Sequence, residues 1–292
     1  MGAERELSST AIAARAALSG VAREPGASKP DAILRASGVR RDFGGITAVD
    51  VERVEVQRGS ITALIGPNGA GKTTLFNLLT GFDTANSGVW TFDGRSMEKI
   101  ASHRTAAMGM VRTFQLTKSL TKLSVIENMR LGATGQKGEK WWNGLFSRIW
   151  KGQEAANTER ADALLERFKL SHMRDEYAGS LSGGQRKLLE MARALMTNPT
   201  LVMLDEPMAG VNPALKQSLN EHIRGLRDEG MTVLFVEHDM DMVHDISDWV
   251  IVMAEGRVIA EGTPDDISKN PAVIDAYLGA HQGRSLLEEE EA

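Results

Sequence analysis

The chain has no cysteine among its 292 residues, no internal repeat, and no apolar run that would cross a bilayer. A membrane-spanning helix needs roughly 18–20 apolar residues in succession. The longest apolar stretches, "ITALIG", "TVLFVE" and "WVIVMA", are short and β-branched and read as buried strands. Any membrane role therefore requires another chain to do the spanning. The lack of cysteine excludes a disulfide framework, a thiolate zinc site and a cysteine nucleophile, and fits a reducing compartment. An excess of positive charge is missing too. The net charge of -5 argues against a nucleic-acid binder driven by phosphate neutralisation, although a local basic face stays open. The Ala-rich start, "TAIAARAALSGVA", lacks the apolar centre of a secretory signal, and Glu4 and Glu6 make it too acidic for a transit peptide.

What is present is globular. The chain is 42% hydrophobic and 25% charged, and its length suffices to bury a sizeable core. Residues 1–32 read as a weakly ordered extension, with "REPGASKP" marking its end. From Ala32 to about Gly94 the pattern is of short strands. "VERVEVQRGSITALIG" holds two, split by Arg58-Gly59, and "GVWTFDG" closes on an Asp-Gly turn. A helical, more polar region follows, with apolar residues three and four apart in "SVIENMRL", "NTERADALLERFKL" and "GGQRKLLEMARALM". The buried strands then return as "TLVMLDEP", "TVLFVEHD" and "DWVIVMAEG". Strands separated by helical stretches predict a parallel sheet. "GTPDDI" predicts a helix start with Thr263 as N-cap, Pro264 at the first position and Asp266 as the capping-box acid. Residues 281–292, ending "LEEEEA", read as an acidic solvated tail.

The most specific chemical signal is Gly66-Pro67-Asn68-Gly69-Ala70-Gly71-Lys72-Thr73, with Thr74 after it, which satisfies the G-x-x-x-x-G-K-[ST] pattern between a strand and a helix. Glycines let backbone N–H groups converge on phosphate, and the helix adds its positive N-terminus. Lys72 would reach the β- and γ-phosphates of a nucleotide, and Thr73 would place its hydroxyl on Mg²⁺. Two acids, Asp205 and Glu206, end the apolar run "LVMLDEP" at a strand exit, where parallel sheets place their ligand crevice. Asp205 would hold Mg²⁺ through water, and Glu206 could orient or deprotonate the attacking water. His238 ends "TVLFVEH" in the same way, which favours a γ-phosphate contact over a structural role. Gln115, in "VRTFQL", would by itself be a surface glutamine. Phe43, in "RRDFGG", supports two readings equally, a loop aromatic tucked onto the core or a platform for adenine.

A second glycine-rich segment, "LSGGQ" at 181–185, opens the helical run after it. Ser182 and Gln185 form a capping box. Gly183 and Gly184 are not explained by that, since each weakens a first helical turn by up to ~1 kcal/mol relative to Ala. Close approach of an anion to the backbone is the natural reason for them.

Taken together, GPNGAGKTT, Gln115, LSGGQ, LVMLDEP and EHD resemble the ATP-binding cassette of ABC proteins, in the same order and at suitable spacing. The resemblance covers about residues 33–280. It implies an α/β P-loop NTPase with a RecA-like parallel core, an antiparallel β subdomain, and an inserted α-helical signature subdomain at about 116–190. It implies a dimer of cassettes, identical or not, in which Ser182, Gly183, Gly184 and Gln185 close on the partner's ATP. It makes Glu206 the catalytic base, His238 the γ-phosphate switch, Gln115 the link between Mg²⁺ and the membrane partner, and Phe43 the adenine-stacking aromatic, where tyrosine is commoner. "MAGVNP" resembles the family's D-loop only loosely.

Within the family, "FGGITAVD", "VRTFQLTKSLTKLSVIENM", "AGVNPA", "EHDMDMV" and "EGTPDDISKNPAVIDAYLGAH" are similar to the ATP-binding subunits of branched-chain amino acid importers. This implies ATP hydrolysis at the cytoplasmic face of the plasma membrane, integral permease subunits as partners, a solute-binding protein as an indirect one, and no nucleic acid. Urea and amide importers and the lipopolysaccharide-export ATPase use similar subunits. The competing class is a soluble ABC ATPase acting on ribosomes or DNA, which usually carries tandem cassettes or a long coiled-coil insertion, and neither is visible here. The Trp141/Trp142/Trp150 cluster with its lysines reads equally as a membrane-surface contact or as packing within the helical subdomain or against a neighbour.

Overall fold

The computed structural model describes residues 8–113, 121–133 and 147–278. Gln115, Trp141, Trp142 and the tail 281–292 lie outside the described residues. The strands of the described residues, in chain order, are β1 Ala32–Phe43, β2 Ile46–Gln57, β3 Ile61–Ile65, β4 Ser87–Phe92, β5 Arg95–Ser96, β6 Met110–Arg112, β7 Leu201–Asp205, β8 Thr232–Val236, β9 Trp249–Ala254 and β10 Arg257–Gly262. The helices are α1 Ser9–Ser19, α2 Lys72–Leu79, α3 Ser102–Ala107, α4 Val125–Leu131, α5 Ser147–Arg167, α6 Gly183–Leu195, α7 Pro213–Asp228, α8 Met240–Ile246 and α9 Pro264–Ser268.

The strands form two sheets. One has the order β10-β9-β3-β8-β7-β6, and the other the order β2-β1-β4-β5. In the first, β9, β3, β8, β7 and β6 run parallel and only β10 is antiparallel. The second is wholly antiparallel, its β4–β5 turn made by Asp93 and Gly94, both at positive φ.

Every residue of β3 and β8 is buried, as expected of parallel strands covered on both faces. The pleat divides their side chains between two cores. Ile61, Ala63, Ile65, Val233 and Phe235 pack with α6, α7 and α8 through Leu189, Leu219, Ile223 and Val243. Leu64, Leu234 and Val236 face the other way, onto Leu75, Phe76, Leu78 and Leu79 of α2 and the valines of the antiparallel sheet. Each Val, Leu, Ile or Phe among them contributes about 1.5–3 kcal/mol when removed from water. The helix carrying the first glycine-rich loop and the helix carrying the second are thus fixed to opposite faces of one sheet.

The N-terminal extension departs from expectation. From Ser8 onward it is a packed element. Ser8 caps α1 by accepting the Ala11 N–H, and Ala11, Ala14 and Leu18 are buried. The Ser8 N–H donates to Asp228 O at 2.8 Å, and Arg15 pairs with Asp248 at 3.0 Å. "REPGASKP", read as a boundary, is anchored by Lys29, which is 3% exposed. Its ammonium pairs with Glu261 and donates to Ala27 O at 2.9 Å, while its N–H donates to Glu55 at 2.7 Å. Glu261 also accepts the Trp249 indole N–H at 2.8 Å. Burial pulls the Lys29 pKa below its ordinary value, and Glu261 opposes that shift. A turn-rich sequence is held here by a buried ion pair whose partner lies more than two hundred residues away.

Candidate nucleotide site

The strand order sets the site. β3, β8 and β7 are neighbours, and their C-terminal ends deliver the Gly66 loop, His238 and the Asp205-Glu206 pair side by side. In the loop, Gly66, Gly69 and Gly71 have φ of 148, 82 and 91°. A Cβ on Gly66 would stand 2.0 Å from Met253 O, and one on Gly71 would stand 2.3 Å from Ala48 O. At Gly69 nothing lies within 4 Å. Two of these glycines are therefore demanded by neighbouring backbone, and the third by its conformation alone.

Lys72 opens α2 and curls back on its own loop, donating to Gly66 O at 2.7 Å and Pro67 O at 2.9 Å. Burial lowers its pKa, while Glu206 and Asp205 pull the other way. That coupling puts the cation of α2 within electrostatic reach of both acids. Thr73 and Thr74 follow in the first turn of α2, whose N-cap is Gly71.

Asp205 ends β7 in an ion pair with Arg112, the last residue of β6. Arg112 also donates to Asn77 Oδ1 at 2.6 Å and lies over the Phe76 ring. It thereby joins the end of β7 to α2. Glu206 has a φ of 46° and donates its N–H to Val236 O at 3.0 Å. Lys187, one turn into α6, reaches the Glu206 carbonyl at 3.5 Å. His238 is exposed, with Glu237 Oε2 lying 3.7 Å from its Nδ1. Phe43 sits at the tip of the β1–β2 hairpin, 46% exposed, with the Arg41 guanidinium 4.4 Å from its ring centre. The tucked reading of Phe43 does not fit that exposure. Sequence reasoning passed over Arg112, Asn77, Lys187 and Glu237; a charge at the end of a buried strand is the signal that marks Arg112 and Glu237.

The second glycine-rich segment caps α6. Ser182 accepts the Gln185 N–H at 3.2 Å, and Gln185 returns the bond to the Ser182 N–H at 2.9 Å. The glycines differ. A Cβ on Gly184 would fall 1.6 Å from Leu215 Cδ2 of α7, whereas Gly183 has nothing within 4 Å. Packing against the Leu215 side chain thus gives Gly184 a second reason beside anion approach, whereas no contact within the chain bears on Gly183.

A strand–loop–helix phosphate cradle with two acids at the exit of the next strand but one defines a P-loop nucleotide-binding domain. A family model described as "ABC transporter" matches residues 50–209, and one described as "Branched-chain amino acid ATP-binding cassette transporter" matches residues 257–282. The chain belongs to the ABC transporter family, as an ATP-hydrolysing cassette. It is 42% identical over 248 residues to a probable branched-chain amino acid transport ATP-binding protein LivG of Archaeoglobus fulgidus, covering 85% of this chain and 96% of that one. It is 40% identical over 249 residues to the high-affinity branched-chain amino acid transport ATP-binding protein BraF of Pseudomonas aeruginosa, covering 85% and 98%. A crystal structure of the ADP conformation of an ATP-binding cassette superposes with a TM-score of 0.75 at 39% identity, covering 85% of this chain and 99% of that chain. Among the described residues no helix is long and apolar enough to cross a membrane.

Proposed function

We propose that the chain is the ATPase subunit of an importer of branched-chain or other amino acids, working as a dimer of cassettes against permease subunits at the cytoplasmic face of the membrane. A solute-binding protein would deliver the cargo. The observation that supports the chemistry most directly is the adjacency of the β3, β8 and β7 exits, which groups Lys72, His238, Asp205 and Glu206. The relatives named for branched-chain amino acid transport support the solute class.

In this reading the loop amides from Gly66 to Thr74 hold the phosphates, with Lys72 on the β- and γ-oxygens and Phe43 beneath the adenine. The hydroxyl of Thr73 and the carboxylate of Asp205, with Gln115, are oxygen donors of the kind Mg²⁺ prefers. When bound, Mg²⁺ would neutralise charge on the phosphate oxygens. Glu206 accepts a proton from water as that water attacks the γ-phosphorus, the bond to the ADP oxygen breaks, and phosphate leaves. His238 contacts the γ-phosphate. Ser182, Gly183, Gly184 and Gln185 act on the ATP of the facing cassette, which the open space at Gly183 supports.

Glu206→Gln should bind ATP, accumulate as a closed dimer and lose nearly all hydrolysis, measured by gel filtration and phosphate release. Near-normal turnover would remove Glu206 from its role. Co-purification with integral membrane permeases tests the transport half, and recovery with ribosomes or DNA would contradict it.

A further inference from the structure

Glu237 follows the five buried residues of β8 and is itself 1% exposed. A carboxylate in that position is costly unless its oxygens are satisfied. Both are, and by amides of two different loops. Oε1 accepts the Met208 N–H at 2.8 Å, and Oε2 accepts the His238 N–H at 3.1 Å.

The first of those loops carries Glu206, whose φ of 46° lies in the left-handed region that side-chain-bearing residues avoid. Such a conformation persists at functional sites only where the surroundings over-determine it. Here the turn is fastened twice to consecutive residues of one strand exit. The Glu206 N–H bonds to Val236 O at 3.0 Å, and the Met208 N–H bonds to the Glu237 side chain. The same carboxylate fixes the backbone of His238 through its other oxygen. The Glu237 side chain therefore ties the turn that follows the base to the strand exit that carries the histidine, beside the Glu206–Val236 backbone bond.

We propose that Glu237 is a positioning residue for ATP hydrolysis, clamping the 206–208 turn and the His238 backbone into one unit; the inference rests on the roles given above to Glu206 and His238. With both oxygens turned inward, Glu237 is not a second base. The chemistry of the clamp explains why a carboxylate stands here. An ionised carboxylate accepts from two amides at once, whereas glutamine presents one acceptor and one NH₂ that opposes the second N–H. Alanine satisfies neither.

The test is steady-state hydrolysis by the full-length chain assembled with its membrane subunits, comparing wild type, Glu237→Gln, Glu237→Ala, Glu206→Gln and Lys29→Ala. Glu237→Gln should lower kcat about tenfold and Glu237→Ala about a hundredfold, as one and then both of the Met208 and His238 amides lose their acceptor. KM for ATP should stay within about twofold in both, because most of the contacts proposed for the nucleotide come from the loop at 66–74 and Phe43, which Glu237 does not touch. Lys29→Ala, in the buried network under the antiparallel sheet, should lower the melting temperature while leaving kcat unchanged at permissive temperature. Wild-type kcat in both Glu237 variants, with Glu206→Gln inactive, overturns this inference alone. So does a kcat loss in Lys29→Ala equal to that of an equally destabilised Glu237 variant, or a KM that rises in step with the fall in kcat. Retained turnover in Glu206→Gln overturns the site reading and this inference with it.

Discussion

The two glycine-rich helix starts look alike in sequence and are built on opposite principles. At the start of α2 the cap residue is Gly71, which offers no side chain, and Gly66 and Gly71 are required by neighbouring backbone at 2.0–2.3 Å. At the start of α6 the cap is complete within the chain, with Ser182 and Gln185 exchanging bonds, a device worth ~1 kcal/mol. Gly184 there yields to Leu215, and Gly183 yields to nothing in this chain. The first loop is shaped by its own fold to receive a ligand. The second is finished as a helix end, yet keeps one glycine that no contact within the chain demands, which is what the proposed facing cassette would need.

The largest effect should come from Gly71→Ala. The residue would carry a φ of 91° with its Cβ 2.3 Å from a backbone carbonyl. Left-handed strain and overpacking together should destabilise the chain by about 3–5 kcal/mol. Binding of a fluorescent ATP analogue to the full chain should become undetectable. Binding within twofold of wild type would show that the loop does not need a left-handed glycine at position 71.

How much of this the sequence disclosed depends on how local the cause is. The α2 start was legible because its pattern, G-x-x-x-x-G-K-T, encodes turn and ligand in adjacent residues, and the capping boxes at Ser182 and Thr263 for the same reason. The burial of both faces of β3 and β8 followed from unbroken apolar runs. The reading of residues 1–32 failed from Ser8 onward because its cause is distant. Lys29 is held by Glu55 and Glu261, and α1 by Asp228 and Asp248, none of which a local window contains. Arg112 and Glu237 escaped for a related reason, since their partners, Asn77 and Asp205 for one and Met208 for the other, meet only across the sheet. The reason for Gly184 was hidden too, because Leu215 arrives from another helix.

An intermediate effect lies inside α6. Glu190 is 5% exposed, and burial pushes its pKa up to about 7 from an ordinary 4.5, against the attraction of Lys187 and Arg193. A raised carboxyl binds its proton more tightly in the folded state, so stability falls as pH rises from 4.5 to about 7 and is level above that. The loss should be at most about 3 kcal/mol, from the size of that shift. Glu190→Gln should flatten melting temperature against pH over this window, and an unchanged slope would show that another group carries it. The expected answer separates the interior of α6, which is tuned by burial, from its N-terminus, which is not.

The smallest effect on stability should be the most informative. Gly183 has no positive φ and open space around its missing Cβ, so alanine fits and even improves helix propensity by up to ~1 kcal/mol. Gly183→Ala should melt at or slightly above wild type, and ATP should bind the isolated chain as before. If Gly183 faces the phosphate of a second cassette, the added methyl enters that interface, and hydrolysis should fall at least tenfold, roughly the cost of disturbing one transition-state contact. The same substitution at Gly71 would damage binding and fold together, whereas here catalysis alone would suffer. Normal turnover in Gly183→Ala would leave the cap at Ser182 as the whole content of the second loop, and the difference between the two helix starts would then be one of capping and not of partner.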